Sequence, residues 1–450
     1  MKVLMLGWEF PPFFAGGLGV VCYEMTKVFA RRPDIDELIY LMPYGPRDGK
    51  SHISLKGANQ VIQEYKEKLS KEQQAIVNKI TFKFVPTILS SPYMTPEEYK
   101  NRYEEMKEKI NFNSLKWQDL NALNEELTEM NYYDQKNAKD ILYGRNIFEE
   151  VFKFAKRVAY ITKNLDFDVI HAHDWMTMPA AIAAKKMSGK PLVVHIHNTI
   201  YDRYLGTGGF DEKELEIQGM QEADKVIAIS NLVKNHLVHK YMIPESKIEV
   251  IHNGSTDLDE TRYNAKEIFK NKKIILFAGR VTMQKGGEYF VKAAAKVIKY
   301  CPDTVFVVAG SGDALGKMID LAAELDVLKY FYFHGFYTLQ ERDIFFGMAD
   351  LFVMPSVSEP FGVVPLEAMA KKTPTIVSYQ SGVSEILQNT FKVDFWDIDK
   401  LAEKIICLLK YVNMHNQISE QGYLECKSKT WDEPVDKMIK IYKNLQEDCS

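Results

Sequence analysis

The sequence predicts an α/β protein of two domains, each built on a parallel β-sheet, with a deep cleft between the two sheets. Short, almost continuously apolar segments alternate with helical segments, which is typical of parallel strands that helices cover on both faces. This alternation occurs in two separate stretches of the chain. A chain of 450 residues is also long for a single hydrophobic core.

The N-terminal stretch begins with an apolar strand over 2–6, a loop rich in Pro and Gly, a helical pattern from about Gly19, and a second strand over 37–42. Residues from about 50 to 160 are polar and have helical periodicity, with one strand-like segment inside, Ile80 to Val85. Alternating charges of this kind are typical of a solvated helix face. The alternative is a helical insertion that overhangs the cleft and shapes the site of a second substrate.

Regular alternation resumes at Phe167 with the strand segments DVIHAH, LVVHIH, KVIAIS and IEVIHN. The polar segment Asp257 to Asn271 is the best candidate for an interdomain linker. The segments KIILFAGR, TVFVVAGSG, YFYFHGF, LFVMPS and TPTIVSY follow it. We therefore predict domains over 1–256 and 257–432, with the insertion in the first, and a C-terminal helix over 433–450 that can pack back on the N-terminal domain.

Composition and charge exclude several classes of protein. Hydrophobic residues make up 46% and charged residues 26%, which is ordinary for a globular protein, and the net charge of -4 does not suggest a nucleic-acid binder. The five cysteines form no C-x-x-C pair, so reduced, cytosolic thiols are expected. The apolar run Val3 to Leu6 is too short for a signal peptide, and no stretch approaches the roughly 18 apolar residues of a membrane helix. We expect a soluble cytoplasmic protein, and the sequence does not indicate its oligomeric state.

The strongest motif follows the apolar segment LFVMP and places two carboxylates eight positions apart, at Glu359 and Glu367. A helix is predicted to begin between them, just beyond the strand. Backbone N–H groups of Gly362, Val363 and Val364 could then bind a diphosphate, since helix N-termini attract phosphate. Glu367 could accept hydrogen bonds from ribose hydroxyls, and Glu359, ahead of the helix, could face a sugar. The alternative is that both glutamates merely favour the helix dipole.

A second motif follows the segment KIILFA, where Arg280 and Lys285 lie five positions apart in a loop that contains glycines. Arg can bind a diphosphate through two parallel hydrogen bonds, and Lys can act as a point charge. Taken alone, the pair could be a solvent-exposed basic loop. Beside the carboxylate motif, we interpret it as the site of a diphosphate leaving group.

Glycines and histidines mark two further strand ends. Gly16 to Gly19 follow the first strand and would let the backbone approach an anion, although a plain turn is an equal interpretation. His171 and His173 lie on one side of a strand, so His173 could contact a sugar at the strand tip. A metal site there is the alternative that we do not favour, since no set of acidic residues completes it.

Taken in order, these motifs resemble the GT-B superfamily, in which two Rossmann-like domains face a deep cleft, and within it glycosyltransferase family 4. The segments WEFPP, GGLG, SPYMTPEEY and HAHDWMT look like those of bacterial glycogen or starch synthases. The resemblance covers nearly the whole chain outside about 50 to 140. It implies transfer with retention at the anomeric carbon, no metal or other cofactor, an ADP- or UDP-sugar donor, glucose as the sugar, and an α-glucan acceptor.

The resemblance also carries residue roles onto this sequence. Glu359 matches the glutamate that contacts the sugar, Glu367 the ribose ligand, and His173 the histidine of the sugar site. Arg280 and Lys285 match the phosphate-binding pair, and Gly17 to Gly19 match the glycine loop. Apart from the resemblance, Phe336 follows a strand at whose end a nucleobase could rest. The expected catalytic residues are Glu359, His173, Arg280 and Lys285. The expected donor-binding residues are Gly17, Leu18, Gly19, Phe336, Phe361, Gly362, Val363, Val364 and Glu367.

One departure from the family concerns the acceptor side. After LVVHIH the sequence reads NTIYDRYLGTGG, where a His-Ala-Thr-Glu type of segment is expected in the synthases. A family 4 enzyme that acts on a lipid-linked or surface polysaccharide would share every donor residue. A catalytically inactive scaffold that binds carbohydrate or nucleotide is the alternative of another class. A nicotinamide dehydrogenase fits poorly, because the first βα loop lacks the dinucleotide fingerprint.

Overall fold

The computed structural model describes residues 1–11, 17–45, 52–58, 147–255, 261–263, 269 and 272–448. These residues form two α/β units, one on a seven-stranded sheet and one on a six-stranded sheet. Every strand pair in both sheets is parallel. The predicted fold class is therefore confirmed.

The N-terminal unit alternates strands and helices after the insertion as well as before it. Its elements are β1 (Lys2–Leu6), α1 (Gly17–Phe29), β2 (Glu37–Met42), β3 (Ser54–Gly57), α2 (Ile147–Thr162), β4 (Val169–His173), α3 (Met178–Ser188), β5 (Leu192–Ile196), α4 (Ile200–Tyr204), α5 (Phe210–Glu222), β6 (Lys225–Ala228), α6 (Asn231–Lys240) and β7 (Ile248–Val250). The sheet order is β3-β2-β1-β4-β5-β6-β7.

The C-terminal unit repeats the same architecture and ends in three consecutive helices. Its elements are β8 (Lys273–Ala278), α7 (Gly287–Val297), β9 (Thr304–Ala309), α8 (Leu315–Glu324), β10 (Phe331–Gly335), α9 (Leu339–Met348), β11 (Leu351–Met354), α10 (Val364–Ala370), β12 (Thr375–Ser378), β13 (Phe391–Val393), α11 (Ile398–Lys410), α12 (Val412–Ser428) and α13 (Asp432–Asp448). The sheet order is β10-β9-β8-β11-β12-β13.

The apolar strands are buried on both faces, as their composition predicts. Along β8, Ile274 and Leu276 belong to one hydrophobic cluster, and Ile275 and Phe277 belong to another on the opposite face of the sheet. This alternation follows from the two-residue period of a strand. The first cluster also contains the core of the N-terminal unit, so apolar packing is continuous between the two units.

Local sequence fixes several helix ends beside the cleft. Thr338 and Glu341 form a reciprocal capping box at the start of α9. The hydroxyl of Ser230 accepts a hydrogen bond from the Val233 N–H, 3.1 Å away, at the start of α6. Pro365 lies in the first turn of α10, where its missing N–H has no helical partner to lose.

The last helix, α13, packs against α1 of the N-terminal unit. Its buried residues Val435, Met438, Ile439 and Tyr442 recur at three- and four-residue spacing and join the first hydrophobic cluster. The Tyr442 ring stacks on Phe29, with centroids 6.0 Å apart. Ion pairs from Arg32 to Asp432 and Asp436, at 2.8 and 2.9 Å, lie at the edge of this contact.

Several sequence predictions fall outside the part of the chain that the structure describes, among them the strand Ile80 to Val85 and most of the insertion. Within the described part, the helix expected from about Gly19 begins two residues earlier, at Gly17. The described cysteines Cys22, Cys301, Cys407 and Cys426 are free thiols. None of the described helices is both long and apolar enough to cross a bilayer.

The packing of α13 gives a stability prediction. Tyr442→Ala removes a buried ring from the contact with α1, so we expect the free energy of unfolding to fall by about 3–5 kcal/mol. Tyr411→Ala is the matched control, because that side chain is 61% exposed and its loss should cost less than about 0.5 kcal/mol. Urea unfolding followed by circular dichroism measures both. Equal midpoints for Tyr442→Ala and the wild type would contradict this packing role.

Candidate active site

The candidate site lies where the strand order of the C-terminal sheet reverses. β8 and β11 are neighbours in the sheet, although β9 and β10 separate them in sequence. Ligands of open α/β sheets bind in the crevice that such a reversal creates, beyond the carboxyl ends of the strands. The loop after β8 carries the basic motif, and the loop after β11 carries the carboxylate motif. The topology therefore brings the two strongest sequence motifs together.

Lys285 and Glu359 are in direct contact across these two loops. The Lys285 ammonium donates a hydrogen bond to the Glu359 carboxylate, and the two side chains are 19% and 9% exposed. The hydroxyl of Ser356 lies 3.4 Å from the same carboxylate oxygen. Gly286 permits this approach: its φ is +69°, and a Cβ there would lie 2.0 Å from the carbonyl oxygen of Pro355. The predicted phosphate-binding lysine and sugar-binding glutamate thus form an ion pair.

Arg280 lies at the start of the same loop, partly exposed, directly after β8. Gly279 before it has a φ of +122°, and a Cβ at Gly310 would lie 1.8 Å from the Gly279 carbonyl oxygen. The Val281 N–H donates to the Ser311 carbonyl at 3.0 Å. Close packing between the loops after β8 and β9 therefore fixes the backbone that carries Arg280.

Glu367 lies inside α10, where its carboxylate is buried and paired with Arg342 of α9 at 3.1 Å. Burial raises the pKa of Glu367 above its usual value, and the Arg342 guanidinium opposes that rise. Burial raises the pKa of the Tyr337 phenol, and the negative charge of Glu367 adds to that rise. Sequence reasoning missed Arg342, since no local motif connects it with a residue on the next helix.

The remaining predicted donor residues of the C-terminal unit differ in exposure. Gly362, Val363 and Val364 lie at the start of the seven-residue helix α10, and Gly362 has a φ of +90°. Phe361 before them is buried, with its carbonyl accepting from the Val383 N–H at 2.7 Å. Phe336 follows β10 and is 76% exposed. An exposed ring in this position is free to stack on a planar ligand.

The predicted glycine loop of the N-terminal unit opens α1. Gly17 is exposed, Leu18 is half-buried, and Gly19 is buried. Among the described contacts, no hydrogen bond joins these three residues to the C-terminal unit. The structure therefore brings together Lys285 and Glu359, but does not bring the glycine loop into direct hydrogen bonding with them.

His173 belongs to a group of four histidines at the ends of β4 and β5, of which His171, His173 and His195 are buried and His197 is half-buried. Its ring stacks on His171 with centroids 4.5 Å apart, and its Nδ1 lies 2.9 Å from Nε2 of His197. His171 in turn bonds the Tyr442 hydroxyl through Nδ1 and approaches Nδ1 of His195 to 3.2 Å through Nε2. Burial lowers the pKa of each ring, to about 3 for His171 and His197. All four imidazoles are therefore neutral at physiological pH.

Nitrogen atoms of His171, His173 and His195 lie within 4.8 Å of one another, so this group could hold a metal ion. Neutral imidazoles are suitable ligands. However, His171 and His173 stack at an interplanar angle of 25°, and His195 and His197 at 30°. Lone pairs in stacked rings run side by side and do not converge well on one ion. The buried Nε2 atoms of His173 and His195 have no hydrogen-bond partner, which leaves them available to a ligand or a water molecule.

Asp174, which belongs to the sequence motif HAHDW, shapes the turn that follows His173. Its φ of +56° and ψ of 171° are a backbone conformation that residues other than glycine seldom adopt. Its carboxylate accepts hydrogen bonds from the His197 and Asn198 N–H groups, at 2.7 and 3.4 Å. Burial raises the pKa of Asp174 to about 6. Asp174 thus joins the ends of β4 and β5 at the cleft.

Three cross-domain contacts close the cleft beside Glu359. The Ser358 hydroxyl donates to Asp202 of α4 at 2.5 Å, and the Ser230 hydroxyl donates to the Pro360 carbonyl at 2.6 Å. Glu385 accepts from the Asn231 and Leu232 N–H groups at the start of α6, each at 2.9 Å. Partial burial would raise the pKa of Glu385, but its contact with the His252 ring at 2.8 Å and the hydrogen bonds from these N–H groups hold that pKa below its usual value. Each contact joins the N-terminal unit to a loop of the candidate site.

Asn253 is a further candidate that sequence reasoning missed. It follows β7 in the segment His-Asn-Gly, and its Oδ1 is buried without a hydrogen-bond partner. Gln284, between Arg280 and Lys285, has a buried Nε2 that also has no hydrogen-bond partner. Because buried polar atoms are nearly always paired in folded proteins, such atoms beside a cleft indicate a polar ligand or water. The polar residues after the last strand of the N-terminal unit were the available signal for Asn253.

The Arg342–Glu367 pair gives a pH-dependent prediction. Arg342→Met leaves a buried carboxylate without its cation, so we expect about 3–5 kcal/mol of destabilisation at neutral pH. Without Arg342 the pKa of Glu367 in the folded state rises further above its unfolded value. Stability should therefore recover as the pH falls through the folded-state pKa towards about 4.3, the ordinary value for Glu.

Thermal unfolding across this pH range measures the effect of Arg342→Met. The double variant Arg342→Met/Glu367→Gln is the control, because it removes the charge that the single variant leaves unpaired. It should be more stable than Arg342→Met at neutral pH and should lose the recovery at low pH. A destabilisation of Arg342→Met that is independent of pH would count against the pairing.

Comparison with known proteins identifies the family. A family model described as "Glycosyltransferase Family 4" matches residues 133–257, and one described as "Glycosyl transferases group 1" matches residues 259–425. An uncharacterized glycosyltransferase of Methanocaldococcus jannaschii is 32% identical over 299 residues, which cover 62% of this chain and 76% of that protein. The glycogen synthase of Mycobacterium tuberculosis H37Rv is 30% identical over 226 residues, which cover 49% of this chain and 54% of the synthase. The match thus spans about half of each protein.

A solved structure of similar fold is the Anabaena protein HepE in complex with UDP and glucose. It superimposes with a TM-score of 0.63 at 15% identity, and the match covers 99% of this chain and 100% of that one. At this identity the likeness concerns the fold alone. The two family models, the archaeal relative and the paired parallel sheets agree with one another. The chain belongs to the family 4 glycosyltransferases and has the GT-B fold.

Proposed function

We propose that the chain is a retaining hexosyltransferase that moves glucose from an ADP- or UDP-sugar to an α-glucan. The observation that carries this proposal is the contact between Lys285 and Glu359 at the strand-order reversal. It places a cation suited to a diphosphate beside a carboxylate suited to sugar hydroxyls. The HepE structure contains UDP and glucose, which supports a nucleotide-sugar as the donor.

The leaving group is a nucleoside diphosphate, on which negative charge grows as the sugar departs. Lys285 and Arg280 supply positive charge from one loop, and the N–H groups of Gly362 to Val364 can add hydrogen bonds. Preorganised charge of this kind stabilises a transition state more strongly in a partly buried site than in bulk water. When the Lys285 ammonium binds a diphosphate, the Glu359 carboxylate is released and can bind the hydroxyls of the sugar.

Retention requires that the acceptor attack from the side on which the leaving group departs, or that two inversions occur. We favour attack on the same face, with a diphosphate oxygen taking the acceptor proton. Glu359 orients the sugar hydroxyls, and His173 supports the positively charged sugar carbon through its backbone carbonyl and its neutral ring. A covalent intermediate on Glu359 is the minority alternative, since in this scheme its released carboxylate binds the hydroxyls of the sugar and not the anomeric carbon.

No metal is needed in this scheme, because the phosphate charge is met by protein groups. The acceptor is an α-glucan by similarity to the glycogen synthases, one of which covers half of this chain. An alternative in the same class is a lipid-linked or surface polysaccharide, since the segment 198–209 departs from the synthases. A scaffold without activity is the alternative of another class, and the paired Lys285 and Glu359 speak against it.

A donor panel tests the proposal. Purified protein is incubated in excess EDTA with ADP-glucose, UDP-glucose and other nucleotide-sugars, each with oligoglucan, with a lipid acceptor and without acceptor. Release of nucleotide and the linkage of the product are measured. Glucose transfer to oligoglucan through an α-linkage, unaffected by EDTA, is the expected result. No release from any donor would overturn enzymatic function, and activity that needs an added divalent ion would overturn metal independence.

The leaving-group residues have a predicted energetic effect. Arg280→Ala or Lys285→Ala should each reduce transition-state stabilisation by about 2.7–4 kcal/mol, by analogy with the loss of one oxyanion donor. The measurement is kcat/KM for the best donor of the panel. Lys292→Ala on α7 is a matched control, because it removes an exposed lysine that pairs with Glu288 of the same helix and not with Glu359. Turnover near that of the wild type in both site variants would contradict the assignment of Arg280 and Lys285 to the leaving group.

Replacement of Glu367 and replacement of Glu359 should have different effects on KM and kcat. Glu367 is expected to contact the ribose, which does not react, so Glu367→Ala should raise KM more than it lowers kcat. Glu359 is expected to contact the sugar as its ring flattens, so Glu359→Ala should lower kcat with less effect on affinity for free nucleotide. Calorimetric titration with free nucleotide and turnover assays separate the two effects. Loss of nucleotide affinity in Glu359→Ala but not in Glu367→Ala would reverse the assigned roles.

A further inference from the structure

A buried carboxylate of the N-terminal unit reaches the loop that carries Glu359. Asp202 lies in α4, which packs against the turn Met283–Lys285 of the C-terminal unit. Its side chain is 0% exposed. The Thr199 hydroxyl caps α4 by accepting a hydrogen bond from the Asp202 N–H at 3.0 Å. The position of Asp202 is therefore fixed by the helix that presents it.

One carboxylate oxygen of Asp202 accepts a hydrogen bond from the N-terminal unit, and the other accepts one from the C-terminal unit. Oδ2 accepts from the Thr199 hydroxyl of its own helix at 2.6 Å, and Oδ1 accepts from the Ser358 hydroxyl at 2.5 Å. Nδ1 of His236, on α6, lies 3.0 Å from Oδ1 without the alignment of a hydrogen bond. Burying a carboxylate is costly unless its oxygens are bonded. The hydrogen bond from Ser358 thus satisfies one of the two carboxylate oxygens of Asp202, which would be costly to bury without a partner.

Ser358 immediately precedes Glu359, so the Asp202 bond restrains the residue next to the sugar-site carboxylate. Glu359 itself is also held by its own loop and its neighbours: its N–H donates to the Gln380 carbonyl at 2.9 Å, its carbonyl accepts from the Gly382 N–H at 2.9 Å, and its carboxylate accepts from Lys285 and Ser356. The Gln380 and Lys285 contacts lie within the C-terminal unit. The Asp202 contact comes from the opposite unit and depends on the closure of the cleft.

We propose that Asp202 is a positioning residue for sugar transfer, which holds Glu359 in place through Ser358 when the two domains are closed. This inference rests on the proposed role of Glu359. It couples the helix on the acceptor side to the carboxylate on the donor side, so that the sugar site is completed only in the closed form. A displacement of about 1 Å in a positioned group can cost about 10²-fold in rate.

The variants Ser358→Ala, Asp202→Ala and their combination test the coupling. Each single variant should lower kcat by about 10- to 100-fold and leave the affinity for free nucleotide within about twofold of the wild type. Because both remove one contact, the double variant should be no slower than the slower single variant. Asp202→Asn should restore most of kcat, since an amide oxygen still accepts from Ser358. Ser419→Ala is the control, because it removes a serine hydroxyl bond to a backbone carbonyl, that of Lys372, within the C-terminal unit and not between the two units.

The readouts are kcat and KM for the donor, nucleotide affinity by calorimetry, and the unfolding midpoint. Ser358→Ala with the kcat of the wild type, or single effects that multiply in the double variant, would overturn the inference. If Asp202→Ala does not fold, Ser358→Ala and Asp202→Asn decide the question. Failure of the proposed function is a separate outcome, because the wild type would then release no nucleotide from any donor.

Discussion

The ion pair between Lys285 and Glu359 is the interaction on which the candidate site depends. Two charges that are largely shielded from water are costly, and a pair of this kind seldom stabilises a fold more than apolar packing would. Its presence is better explained by function: each group provides a partner for the other while the site awaits a ligand with a diphosphate and a sugar. In our account the donor separates the pair, with the diphosphate taking Lys285 and the sugar taking Glu359.

The pair exists because of the order of strands in a parallel sheet. All strands point the same way, so all their following loops lie at one edge, and the reversal between β8 and β11 places two of these loops side by side. The N-terminal sheet reverses in the same way between β1 and β4, where α1 and His173 are found. The contact between Asp202 and Ser358 then joins loops of the two sheets. The cleft is thus built from two equivalent edges that face each other.

Sequence patterns predicted the strands well, because a strand covered on both faces must be apolar along its whole length. They also predicted that Lys285 and Glu359 belong to one site, since both follow apolar strands of the second unit. They did not reveal Arg342 or Asp202, whose partners lie 25 and 156 residues away in sequence. A polar residue on an amphipathic helix carries no local sign of the buried group that it will meet. The insertion lies mostly outside the described residues, and its interpretation as an overhang of the acceptor site stays a prediction.

The most direct test of the account is a crystal structure of the protein with the nucleoside diphosphate of its donor. The account predicts diphosphate oxygens at hydrogen-bond distance, about 2.7–3.2 Å, from the Lys285 ammonium, with the Glu359 carboxylate no longer bonded to that group. Glu367 should accept from the ribose in the same structure. A nucleotide bound elsewhere, or bound with the Lys285–Glu359 pair intact, would contradict the central claim.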